Sequence, residues 1–125
     1  MIQAYSTSIF PAIPVLDVFF SFPGSDDWKG PFSAIVDSGA DYAIAPLSLL
    51  QSFNLPVVRP VTLNSLWQDK RNAYVYEVDI RIGEIVLPAI DVAGDRVSDQ
   101  ILLGRNVLNK LDLRLEGPKQ RTHML

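Results

Sequence analysis

Asp37 stands in the run Ala34-Ile35-Val36-Asp37-Ser38-Gly39-Ala40-Asp41, where apolar residues lead into a carboxylate, a hydroxyl and a glycine. A strand that buries its apolar residues and then turns sharply delivers such a carboxylate to a fixed point. Gly39 supplies backbone freedom and close approach. Backbone N–H groups and hydroxyls in the turn hold a carboxylate in one orientation. The chemistry on offer is that of acid and base. An Asp-Ser-Gly turn is also a common strand-to-turn junction, so the motif by itself leaves both readings open.

A second segment, Ile101-Leu102-Leu103-Gly104-Arg105-Asn106-Val107-Leu108, is an apolar strand, a glycine and a polar helix start. Alone it reads as a core strand capped by a turn. Other catalytic chemistries are poorly provided for. There is no cysteine, hence no disulfide and no thiolate site. The one histidine, His123, is too little for a metal site and poorly placed for a Ser-His-Asp triad. Carboxylates remain, and no cofactor is expected, because carboxylates alone can activate a water.

The elements that must position these residues are mostly strands. Residues 13–22, 31–36 and 42–45 read as strands, with turn chemistry at 23–27. Residues 46–53 read as a short helix, with Pro46 suited to its first turn. Residues 57–66 and 74–82 form an expected hairpin with a polar tip at 68–72. Strands follow at 85–92 and 101–103, then a short helix at 105–110. Residues 111–115 alternate apolar and charged, as an edge or interface strand does. Many short strands with regular turns predict an all-β barrel or sandwich with one or two short helices.

At 125 residues the chain fits one domain, 1–125. Hydrophobic residues make up 48% and charged residues 20%, a balance that excludes a disordered chain. The net charge of −3 offers no phosphate-binding surface, so nucleic acid is not expected as a partner. No apolar stretch is long enough for a membrane span. Pro11, Pro14 and Asp17 interrupt the first apolar run and no basic segment precedes it, so no signal peptide is expected and a cytoplasmic setting is.

Taken together and in this order, the two segments resemble the retropepsin-like aspartic proteases of viruses and bacteria. There a strand ends in Asp-Thr/Ser-Gly-Ala, and a later Leu/Ile-Leu-Gly-Arg-Asn/Asp precedes a helix. The resemblance covers about residues 13–117. It implies a single-lobed acid-protease β-barrel and an endopeptidase acting on peptide or protein substrates. Asp37 would be the catalytic carboxylate. Ser38 would hydrogen-bond across a two-fold axis beneath the site, and Gly39 would place backbone groups near the substrate. Ala40 would line the cleft floor. Asp41, beside the substrate, would also form a structural ion pair with Arg105. Only one Asp-Ser-Gly is present, so the second carboxylate must come from another copy, which makes a homodimer the expected assembly.

The chain departs from the viral pattern in its hairpin. Residues 63–76 contain no glycine and carry Leu66 and Trp67, which would face substrate or, for Trp67, pack in the core. Ala40 stands where two-lobed relatives often have a hydroxyl. With one donor fewer, activity is expected at mildly rather than strongly acid pH. The polar, proline-broken tail 117–125 leaves residues 111–115 or 2–5 as the expected dimer contact. Two alternatives remain: an inactive retropepsin-like dimerisation or peptide-binding module, and an unrelated small barrel holding an apolar ligand.

Overall fold

The structure is a computed structural model that describes residues 1–64 and 70–125. Ten strands and two short helices follow in order: β1 (Ile2–Ala4), β2 (Val15–Ser21), β3 (Lys29–Val36), β4 (Ala43–Pro46), α1 (Leu47–Ser52), β5 (Val57–Asn64), β6 (Lys70–Ile82), β7 (Ile85–Asp95), β8 (Ile101–Leu103), α2 (Arg105–Leu108), β9 (Leu113–Glu116) and β10 (Arg121–Met124). A 3₁₀ turn at Gly117–Lys119 joins the last two.

Six strands close into a barrel. Around the ring β2 pairs with β3, β3 with β8, β8 with β4, β4 with β7, β7 with β6, and β6 returns to β2. The pairs β3–β8 and β4–β7 are parallel, and the others are antiparallel. Closure removes the exposed edges that an open sheet would present. β5 pairs only with β6 and so projects as a hairpin from the ring.

Alternation explains what fills the barrel. On β2, Leu16, Val18 and Phe20 are buried while Asp17 is exposed; on β6, Val78, Ile80 and Ile82 are buried. Each such side chain contributes roughly 1.5–3 kcal/mol by leaving water. Leu50 of α1 and Val107 of α2 dock on the same core, each helix burying one residue. The β2–β3 turn is anchored by Asp79 of β6. This buried carboxylate accepts from the N–H of Gly24 and of Ala89, both at 2.8 Å.

Two sequence expectations change here. Lys70, Arg71 and Asn72 are not a tip but part of β6, opposite Asn64, Leu63 and Thr62 of β5. Pairing across the hairpin extends the ladder into these polar, exposed residues. The tail is also a strand: β10 lies between β1 and β9 in a separate three-stranded sheet. Pro118 sits in the 3₁₀ turn, so it starts the reversal and does not interrupt β10. Leu66 and Trp67 lie outside the described residues.

Candidate active site

Asp37 follows directly on β3. Val36 pairs with Leu103 of β8, and the Asp37 N–H continues that ladder to the Leu103 carbonyl at 3.1 Å. Two paired strands thus end side by side, one at Asp37 and the other at Gly104. The chain then turns, with the Ala40 N–H donating to the Asp37 carbonyl at 3.2 Å. Within this turn the Gly39 N–H donates to Asp37 Oδ1 at 3.0 Å. A Cβ on Gly39 would sit 3.2 Å from that oxygen, so close approach is what the position requires. Asp37 is partly exposed, and Ser38 and Gly39 are exposed on the same loop.

The turn is clasped from the other side by the start of α2. The Arg105 N–H donates to the Ala40 carbonyl at 2.8 Å, and the Asn106 N–H to the Asp41 carbonyl at 3.3 Å. The Arg105 side chain donates from Nη1 to the Ser38 carbonyl at 2.8 Å and from Nη2 to the Asp41 carboxylate. Both partners of this pair are substantially exposed, so it adds little to stability. Its effect is geometric: one guanidinium holds two points of the loop that carries Asp37. Gly104 allows this contact. A Cβ there would fall 2.3 Å from the Tyr42 carbonyl oxygen and 2.9 Å from that of Ala40.

Further groups support the loop; Asn106 stands in the Gly-Arg-Asn segment the sequence singles out, whereas Arg59, Tyr42 and Asp91 carry no sequence signal of their own. Asn106 accepts from the Ala43 N–H and donates to the Asp91 carbonyl, each at 2.8 Å. Arg59, on β5, donates to Asp91 Oδ2 at 2.9 Å and to the Tyr42 hydroxyl at 3.0 Å. Those hydrogen bonds, from Tyr42 first and then Asp91, raise the Arg59 pKa and keep it charged. The base of the hairpin is thereby tied to the residue next to Asp41. Higher up, Arg71 Nη1 donates at 3.1 Å to the buried carboxylate of Asp95 at the end of β7. A cleft of about 220 Å³ lies there, between Leu63, Arg71, Asn72 and Ala73 of the hairpin and residues 94–97. Among the described residues no cluster of side chains could hold a metal ion.

The structure therefore brings Asp37, Ser38, Gly39, Ala40, Asp41 and Arg105 into one loop-and-clasp unit. No protein-family model and no curated protein matches the chain. Solved structures do. A retropepsin-like aspartic protease from Rickettsia conorii superposes with a TM-score of 0.63 at 17% identity, over 99% of this chain and 88% of that one. The simian foamy virus (mac) protease gives 0.53 at 19% identity, over 76% and 91%. The retroviral protease-like domain of Ddi1 from Leishmania major gives 0.50 at 15% identity, over 90% and 95%. The structural neighbours are retropepsin-like aspartic proteases, and the fold is the single-lobed retropepsin fold. At these identities the likeness is one of fold. Also, no helix among the described residues is long and apolar enough to cross a membrane.

Proposed function

We propose that residues 1–125 form one domain, with its core at about 13–117, and that it is one half of an aspartic endopeptidase. The observation that carries this reading is the Asp37 loop: a carboxylate fixed by the Gly39 N–H and clasped by Arg105 on a retropepsin-type barrel. Two copies of Asp37, one from each subunit of a homodimer, face each other and share one proton, because close like charges do not both ionise readily. The ionised carboxylate takes a proton from a water as its oxygen attacks the scissile carbonyl carbon. The protonated one gives its proton to the carbonyl oxygen. Collapse of the tetrahedral intermediate breaks the C–N bond, and the proton taken from water passes to the departing amine. A hydroxyl of the intermediate returns its proton to the carboxylate that had given one. The pair titrates as a unit, so neither role belongs to one subunit.

In this reading Ser38 bonds across the two-fold axis, Ala40 and Asp41 line the cleft, and Leu66 and Trp67 of the hairpin contact substrate. The substrate is a peptide or protein, and the reaction needs no cofactor. The test is a diverse peptide pool incubated with wild type and Asp37→Asn from about pH 3 to 8. Cleavage by wild type alone, greatest at mildly acid pH, is the expected result. Cleavage by both proteins would mean another mechanism. A dimer that binds peptides without cleaving them would make this a binding module.

A further inference from the structure

We propose that Asp99 makes this chain select a basic side chain, lysine or arginine, close to the bond it cuts. The carboxylate does so by lining a cavity on the same face of β3 as Asp37. This rests on the endopeptidase reading and names its substrate class.

Side chains alternate along a strand, so Ser33, Ile35 and Asp37 fall on one face of β3. The opposite face is the core, where Ala34 is fully buried. The ladder runs on to Asp37, whose N–H reaches the Leu103 carbonyl. Val15 and Asp17 of β2 stand opposite Ile35 and Ser33 and share that outer face. A cavity of about 170 Å³ lies there, lined by Val15, Ser33 and Ile35, and by Asp99 shortly before β8. The loop that starts at Ser6 and returns at Ile13 forms another wall, its two ends bonded backbone to backbone. Ile35 precedes Asp37 by one alternation, about 7 Å along a strand. An extended peptide advances by the same step. A peptide cut at Asp37 therefore sets a side chain within about two residues of the cut bond at this cavity.

The lining tells which side chain. Ile13, Val15 and Ile35 offer apolar surface, and Ser6, Ser8 and Ser33 offer hydroxyls. No basic residue lines the cavity, and its one charge is the Asp99 carboxylate. Asp41, Asp91 and Asp95 are each matched by an arginine. Asp99 is exposed and has no ion-pair partner among the described residues. Asp17, held by Gln3, adds a second negative charge to the same face. At about 30 Å³ per water the cavity has room for five or six waters, the space of one long side chain. Lysine and arginine carry an apolar stem and a charged head, and the lining matches both parts. A carboxylate side chain would meet the Asp99 charge. An apolar one would cover the hydroxyls and the carboxylate without giving them partners, which disfavours it. In a homodimer the two-fold axis repeats the cavity on the far side of the cut bond, so a basic residue is favoured on either side.

The test uses short peptide pools, random except at one position that carries arginine, citrulline or glutamate. Citrulline keeps the length of arginine and lacks its charge. Wild type should cleave the arginine pool about fivefold faster than the citrulline pool, and the glutamate pool slowest. The arginine-to-citrulline ratio should fall toward one in Asp99→Asn and at high salt. Asp99→Lys should favour glutamate over arginine. Equal cleavage of the arginine and citrulline pools by wild type overturns the proposal, and so does a preference that survives in Asp99→Asn. In either case cleavage that still depends on Asp37 keeps the protease reading. If no pool is cleaved, retention of the same pools on immobilised wild type and Asp99→Asn decides. Retention of arginine over citrulline that requires Asp99 keeps the site and sinks the protease. No difference in retention overturns both.

Discussion

At the scale of single residues, the loop around Asp37 depends on a few atoms that leave no room for exchange. Gly104 is the sharpest case, because any side chain there meets the Tyr42 carbonyl at 2.3 Å. Gly104→Ala should separate α2 from the Asp37 loop and destabilise the chain by about 1–3 kcal/mol, read from urea unfolding midpoints. Its peptide cleavage should fall further than stability alone explains, because small displacements of reacting groups are costly. Glu116 gives a prediction in pH. The Arg121 guanidinium beside it holds its carboxyl below the usual carboxylate range, against the opposing effect of desolvation. A group with a depressed folded pKa stabilises above its unfolded value, near 4.3, and loses that contribution as pH falls through the folded one. The stability gap between wild type and Glu116→Gln should therefore be present at neutral pH and shrink below about pH 4. An equal gap at both pH values would show that the pair is not its source.

At the scale of elements, the Asp37 loop is placed by two strands, β3 and β8, that run parallel and stop together. Neither belongs to a hairpin with the other, so their alignment rests on the barrel being closed. Closure in turn depends on β2 meeting β6, and Asp79 of β6 anchors the turn after β2 through the Gly24 N–H. Asp79→Ala would remove the shared acceptor of the Gly24 and Ala89 N–H groups, two hydrogen bonds to a carboxylate, and should cost about 1–3 kcal/mol. Thermal or urea unfolding measures this. A near-neutral effect would mean that water reaches those groups. The hairpin is a separate element with its own attachments, Arg59 to Asp91 at the base and Arg71 to Asp95 higher up. These pairs fix where it leaves the barrel without any glycine in its strands.

At the scale of the whole molecule, one chain holds one Asp-Ser-Gly loop, and the proposed chemistry needs two. Specific activity should then rise with protein concentration and level off once dimer dominates. The melting temperature should rise with it, because association stabilises the folded chain by mass action. Light scattering across the same dilution series checks both. Flat specific activity and a constant melting temperature through a monomeric range would argue for a site complete in one chain.

The sequence by itself determined the inventory of chemistry: one histidine, no cysteine, and a carboxylate at a strand end with a second Gly-Arg-Asn segment downstream. It also determined the strand content, because alternation of apolar and polar residues has a period of two that is readable within a few residues. Residues 13–22, 31–36, 46–53 and 85–92 needed only local information, and the structure has strands or a helix there. Tertiary structure alone decided which strands are neighbours. Nothing local says that Val36 lies beside Leu103, that Arg59 reaches Tyr42, or that the tail becomes the middle strand of a sheet. Those contacts join residues far apart in the chain, where partner choice is set by barrel closure and burial of the whole core. Arg59, Tyr42 and Asp91 are ordinary surface residues in sequence, and only the fold makes them supports of the loop that carries Asp37.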